Sequence, residues 1–248
     1  MQRSKIEYLR GPDGKEGFTW NPVRMKCTPV SAGCARCWHL RFAKRHAANP
    51  TFNDRARNAY AGGYPFFDND EWMEPAKLRK PAKIAVQLMG DLFHDDVPTD
   101  YIDRIFYTML REERHTFLVL TKRAGRMQHY IRARRSCPDH IWLGVSVEDQ
   151  KAADERIPLL LQTPAAVRWV SVEPMLEAVD LEQCKAIAWN PGVNFVVVGA
   201  ETGPGKRPCR PEWIDDLRQQ CKAAGVAFFG KVGEDGQPLG PREYPEAP

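Results

Sequence analysis

Three thiols fall within eleven residues: Cys27, Cys34 and Cys37, in the stretch CTPVSAGCARC, with spacing C-x6-C-x2-C. An odd number of sulfurs does not pair off into disulfides, and a structural zinc site takes four ligands. The other chemistry that gathers thiolates is an iron–sulfur cluster, normally held by four. Three thiolates on a four-iron cluster leave one iron open to a ligand from outside the chain. The rival reading is a zinc site completed by His39 or His46, since Cys34-x2-Cys37 is a zinc half-site and a following helix brings a histidine within reach. Under that reading the protein is a zinc-binding nucleic-acid-binding or scaffold protein without catalytic activity. A third reading, buried small hydrophobes, suits the scattered Cys137, Cys184 and Cys221 better than three cysteines in one glycine-containing loop. Cys209, in GKRPCR, stands apart from both groups.

A second set of reactive side chains sits where short apolar runs end. Gly90-Asp91 closes one run, with LFHDD after it, and Thr121-Lys122-Arg123 closes the next. Ser146-Val147-Glu148-Asp149, Ser171-Val172-Glu173-Pro174, Gly199-Ala200-Glu201-Thr202-Gly203 and Gly230-Lys231 follow in turn. One charge after a strand marks only a wet loop. Six, several beside a glycine that lets backbone approach closely, argue for a polar ligand site.

The elements that position these residues alternate. GFTW (17–20), KIAVQLM (83–89), TFLVLT (116–121), IWLGVSV (141–147), VRWVSV (167–172), FVVVGA (195–200) and VAFFGKV (226–232) read as about seven strands. Between them, PTDYIDRIFYTMLREER carries Ile102, Ile105, Phe106, Met109 and Leu110 at helical spacing, with Thr99 as its expected N-cap. Further helices are expected at 35–48, through Met127 and Ile131, over DQKAADERIPLLLQ with Pro158 near the end, and over EWIDDLRQQCKAAG closed by Gly225. Such alternation predicts a parallel α/β sheet, a complete or partial β/α barrel of six to seven strands in a single domain over 1–248. Its strand ends would converge on one mouth, where the cysteine loop (21–38) also lies. Residues 50–82, broken by Pro50, Gly62, Gly63, Pro65, Pro75 and Pro81, read as an irregular insertion, and a tail is expected from about 233.

With 43% hydrophobic and 27% charged residues, the chain has material for a full core. No run of about 18 apolar residues and no signal-like start is present, so a cytoplasmic protein with reduced cysteines is expected. Residues 1–62 hold 12 Lys/Arg and 4 Asp/Glu, a surplus of +8, which leaves −4 for the remainder of a +4 chain. A basic cysteine-bearing half suggests an anionic partner such as nucleic acid; the plain alternative is a solvated basic surface, there being no evident aromatic-and-basic module.

TWNP, VSAGCARCW, DLFHDDVP, LTKRAGRM, WLGVSVED, SVEPML, VVGAETGPGKRP and QCKAAGVAFFGKVGE occur in the order found in a phage-encoded three-cysteine-motif family. The resemblance covers about residues 17 to 235, and that family is similar to divergent radical S-adenosylmethionine (SAM) enzymes. It implies a [4Fe–4S] cluster held by Cys27, Cys34 and Cys37, with SAM on the fourth iron, reduced by an external electron donor to methionine and a 5′-deoxyadenosyl radical. By position, it assigns Gly90 and Asp91 to the SAM amino group and Lys122 or Arg123 to its carboxylate. Ser146 and Glu148 fall to the ribose hydroxyls, Gly199 and Glu201 to the adenosyl moiety, and His94 and Glu173 to the substrate. The implied reaction is rearrangement of a modified base in phage DNA, in the host cytoplasm, with repair of damaged DNA or a methyl or thio transfer as alternatives. A polymeric substrate would have to present its base flipped out or single-stranded.

Overall fold

The structure is a computed structural model that describes residues 1–11, 14–184, 192–233 and 236–246. The fold is mixed α/β, with a mostly parallel sheet of eight strands and a separate two-stranded ribbon. The chain divides into two compact units, Met1–Leu120 and Thr121–Pro248. Closure of the sheet into a barrel is not seen among the described residues.

The first unit runs β1 (Gln2–Arg3), β2 (Phe18–Trp20), β3 (Val23–Arg24), α1 (Trp38–Ala47), α2 (Asp54–Ala61), β4 (Phe66–Phe67), α3 (Asn69–Trp72), α4 (Glu74–Lys77), β5 (Lys83–Val86), α5 (Thr99–Arg111) and β6 (Thr116–Thr121). β2, β5 and β6 are parallel, and their side chains from Ile84 to Val86 and from Phe117 to Val119 are buried, as strands covered on both faces require. β1, which the alternation did not reveal, adds an antiparallel edge on β2. α5 turns Ile102, Ile105, Phe106 and Met109 inward while Leu110 stays exposed, and its N-cap is Pro98, with Thr99 already the first helical residue. The stretch expected to be irregular holds four short elements. Asn53 Oδ1 caps α2, Gly62 ends it in the left-handed region, and Asp68 caps α3. Arg104 from α5 lies between the rings of Phe67 and Trp72, 4.0 and 4.1 Å away. Elements this short are held by caps and such contacts rather than by periodicity, which is why spacing alone did not show them.

His115, buried at the start of β6, donates from Nε2 to the Pro75 carbonyl at 3.1 Å. Burial is the main reason its basicity falls below the ordinary 6.5; the Pro75 bond opposes this and Arg114 adds to it. The folded protein therefore takes up this proton at a lower pH than the unfolded chain does, so the contribution to stability is present above pH 6.5 and is lost on acidification. Urea midpoints at pH 7 and pH 5 are expected to fall in the wild type and to fall less in His115→Gln, whose amide keeps the donor to Pro75. Equal pH dependence in both would remove His115 from the account.

The second unit runs α6 (Ala124–Arg134), β7 (Ile141–Val147), α7 (Gln150–Leu161), β8 (Arg168–Val172), β9 (Phe195–Val198), α8 (Pro211–Ala224) and β10 (Ala227–Gly230). Its four strands are all parallel neighbours, so their C-terminal ends share one edge. Every residue of β7, β8 and β9 is buried. Gly144 makes room for Trp169: a Cβ there would lie 2.4 Å from the indole nitrogen. α7 carries Pro158 in its interior, and Gly225 closes α8 in the left-handed region as expected. Of the C-terminal tail, residues 234–235 and 247–248 lie outside the described residues; Arg242 and Pro238 bridge back to Phe229 and Val232. Among the described residues no helix is long and apolar enough to cross a membrane.

Candidate functional site

The strip that leads from β2 to Cys27 is held along its length by side chains from elsewhere in the first unit. Asn21 Oδ1 accepts from the Met89 N–H at 2.8 Å. Gln87 then treats Val23 as a strand neighbour would: Oε1 accepts from its N–H at 3.0 Å, and Nε2 donates to its carbonyl at 2.7 Å and to that of Met89 at 2.8 Å. Gln87 is wholly buried and left-handed, at φ 53°, a conformation costing a non-glycine residue on the order of 1–3 kcal/mol. His39 Nε2 donates to the Met25 carbonyl at 3.2 Å. Burial first, and His46 to a lesser degree, hold His39 down to about 4 against the opposing pull of that bond, so the ring is neutral.

Immediately after Cys27, Thr28 meets His94, which is 2% exposed. Nε2 of His94 accepts from the Thr28 N–H at 3.2 Å and pairs with Thr28 Oγ1 at 2.8 Å, while Nδ1 faces the Asp96 N–H at 3.1 Å. His94 thereby fixes the backbone next to the first cysteine, which makes it a positioning residue for the loop. Asp91 Oδ1 accepts from the Phe93 N–H at 2.9 Å and sets the turn that delivers His94. Gly90, at φ 119°, is where Met25 packs; a Cβ would stand 2.7 Å from the Met25 Cγ. The structure thus brings Gly90, Asp91 and His94 to the cysteine loop.

Within the loop, Cys34 is buried in a 3-10 turn, Ala32–Arg36, while Cys27 and Cys37 are half-buried. All seven cysteines are thiols. Cys27 Sγ lies 3.6 Å from the Thr28 carbonyl and Cys34 Sγ 3.8 Å from Ser31 Oγ, weak contacts that a metal would readily replace. Among the described residues, no three His, Cys, Asp or Glu side chains stand close enough together to hold a metal ion. Three thiols on one short loop are the donor type that an iron–sulfur cluster takes, and the backbone beside the first of them is fixed. His46 is engaged elsewhere, tilted against Tyr60 at 5.0 Å and edge to face with Phe52 at 4.9 Å. Cys137, Cys184 and Cys221 are buried, and burial is the main cause that raises each thiol to about 12, in keeping with a packing role.

The second unit gathers the remaining candidates along its strand ends, mostly as ion pairs. Lys122 Nζ donates to Ser146 Oγ at 2.8 Å and to Glu148 Oε2 at 2.9 Å. Glu148 is wholly buried, and Arg156 of α7 reaches the same oxygen at 3.1 Å and the Ser146 carbonyl at 2.6 Å. At the next strand ends, Lys231 pairs with Glu173 across the end of β9. The position beneath is Gly199, where a Cβ would come within 3.1 Å of the Glu173 carboxyl carbon. Glu201 accepts from the Arg207 guanidinium, with Nε at 3.0 Å from Oε2, and from the Arg207 backbone N–H at 2.8 Å. Arg123 is the N-cap residue of α6 and its N–H donates to Thr121 Oγ1 at 2.8 Å. A cavity of about 1080 Å³ opens instead at the start of β9 and β10, lined by Asn194, Arg218, Lys222, Phe228, Glu243 and Tyr244. None of the candidate residues lines it.

Gln87, Arg156 and Arg207 were not singled out by spacing. For Gln87 a signal existed: one amide inside the apolar run KIAVQLM. Arg207 and Glu201 share one loop six residues apart, whereas Arg156 is one of many helix cations.

Compared with known proteins, the chain matches over residues 3–238 a family described as "Protein of unknown function (DUF5131)". No curated protein and no solved structure matches it.

Proposed function

This chain belongs to the DUF5131 family, and we propose that it is a radical SAM enzyme whose Cys27, Cys34 and Cys37 hold a [4Fe–4S] cluster. The observation that carries the reading is the strapped cysteine loop: Gln87, His39 and His94 fix the backbone at Val23, Met25 and Thr28, on both sides of Cys27. When bound, the cluster and SAM would supply a 5′-deoxyadenosyl radical able to abstract hydrogen from the substrate. The chain's own residues bind and orient. Asp91 and Gly90 stand with the loop; Lys122, aligned by Ser146 and Glu148, offers a cation suited to a carboxylate. Glu173 with Lys231, and Glu201 with Arg207, offer paired polar groups to a nucleoside. The basic stretch around the loop makes nucleic acid the substrate class, with rearrangement of a modified base as the reaction and repair of a damaged base as the alternative. Phage origin and a closed barrel belong to the same reading.

One observation favours the zinc alternative: Nδ1 of His39, two residues along the chain from Cys37, is buried without a hydrogen-bond partner. Anaerobic reconstitution with iron and sulfide, followed by SAM and a strong reductant, separates the two. The wild type is expected to release 5′-deoxyadenosine and Cys34→Ala to fall to background. Stoichiometric zinc in the purified protein, with no 5′-deoxyadenosine from the reconstituted wild type, would overturn the radical reading.

A further inference from the structure

α1 presents its aromatic residues the wrong way round for a helix that simply packs on a core. Its inward side carries His39 and Ala43, both buried. Its outward side carries Trp38, Arg41, Phe42 and Arg45, at i, i+3, i+4 and i+7, one continuous stripe. Trp38 is 45% and Phe42 39% exposed. Their rings meet edge to face at 5.6 Å, and the Arg45 guanidinium stands 5.3 Å from the Phe42 ring. The row continues inward through His46, 5.8 Å from Phe42, to the buried Tyr60. Its inner end is anchored and its outer end is offered to solvent.

Along the chain the charge around it has one sign up to Asn53. From Gly17 to Asn53 the chain has no Asp or Glu and six Lys/Arg. Arg24 is committed to Asp68 and Glu71. Lys26, Arg36, Arg41, Lys44 and Arg45 are exposed.

We propose that this stripe is a stacking platform for single-stranded nucleic acid, with bases on Trp38 and Phe42 and phosphates beside Arg41, Lys44 and Arg45. Aromatic rings interleaved with cations are what an unpaired strand requires, because every base has a face to stack and every link a charge to neutralise. A duplex keeps its base faces stacked on one another and offers the rings nothing. A second copy of the chain would set Arg41 and Arg45 against their own kind. A lipid surface calls for a wider apolar face, and no Leu, Ile or Met lies on the stripe. The inference rests on the nucleic-acid reading above, and it places the strand beside the cysteine loop, since Trp38 directly follows Cys37.

Fluorescence anisotropy on the full chain, without SAM or reductant, tests the platform separately from the chemistry. The probes are labelled oligo(dT), oligo(U), a duplex of matched length, and vesicles containing phosphatidylserine. Single strands are expected to bind tighter than the duplex. Trp38→Ala is expected to weaken the single strand about 5- to 150-fold with the salt dependence unchanged, and Trp38→Phe to restore most of it. Lys44→Ala is expected to lower the slope of log affinity against log salt by about 0.7. Equal binding of oligo(dT) and oligo(U) supports the platform and shows that the sugar is not read. Phe42→Ala serves as the second aromatic variant, and thermal melts check that both variants fold. If folded Trp38→Ala and Phe42→Ala bind oligo(dT) as the wild type does, the platform is overturned. Preference for the duplex, for the vesicles, or a stripe-dependent dimer would overturn it as well. Loss of the platform with 5′-deoxyadenosine still formed would leave the radical reading standing; binding without 5′-deoxyadenosine would do the reverse.

Discussion

A Gln87→Leu variant is expected to lose about 2–6 kcal/mol of folding stability and to open the Cys34 thiol to reagents that the wild type excludes. Leucine matches glutamine in bulk but leaves the Val23 N–H and carbonyl with no partner in a buried place, each orphan costing about 1–3 kcal/mol. The Met89 carbonyl, half-buried, adds less because water can reach it. The left-handed backbone at Gln87 is not relieved, since leucine fits φ 53° no better. Gln87→Gly separates the two contributions: it loses the same hydrogen bonds but relaxes the backbone and admits water, so a smaller loss is expected. Urea unfolding measures the stability, and the rate of thiol labelling at Cys34 reports the loop. Unchanged values for both would show that the strap to Val23 does not hold the cysteines in place.

Glu148→Gln is expected to destabilise the second unit by about 3–5 kcal/mol. Glu148 has no exposed surface and one of its oxygens serves both Lys122 and Arg156. The amide keeps the shape but not the charge, and it leaves Arg156, 3% exposed, beside another cation with no anion between them. Removing one member of a buried ion pair costs more than the pair contributes, because the survivor stays desolvated. Glu148→Gln combined with Arg156→Met is therefore expected to lose less than the sum of the two single changes. Chemical denaturation of the four proteins gives the coupling directly; strict additivity would mean that the two side chains do not depend on one another.

The strands and longer helices were legible because their signal is local. TFLVLT and IWLGVSV became strands over the residues expected, 116–121 and 141–147, and the inward face of α5 follows from its spacing. The four small elements between 54 and 77 have too few residues for a period and depend on caps and on Arg104, an α5 residue far along the chain. At the site, cysteine spacing named the thiols, and strand ends named Glu148, Glu173 and Glu201. What spacing could not supply was which cation each carboxylate meets. Lys231 finds Glu173 only because β8, β9 and β10 are adjacent and parallel. Spacing is likewise silent on Trp38 and Phe42: rings four apart on a helix usually face the core, and only the burial of His39 and Ala43 shows that this helix faces the other way.

The cysteine loop also has an order of assembly written into it. The bonds from Gln87 to Val23, from His94 to Thr28 and from Met89 to Asn21 join residues 64, 66 and 68 apart in the chain. Contacts of that span form only once β2 and β5 have met, so a nascent chain that has just emitted its three cysteines holds them on an unstructured tether. A zinc knuckle works in the opposite sense, its ion gathering a short peptide into shape. On the proposed reading the polypeptide would be shaped first and its inorganic guest would come afterwards, which would make maturation a step that follows folding, with its own rate and its own dependence on supply.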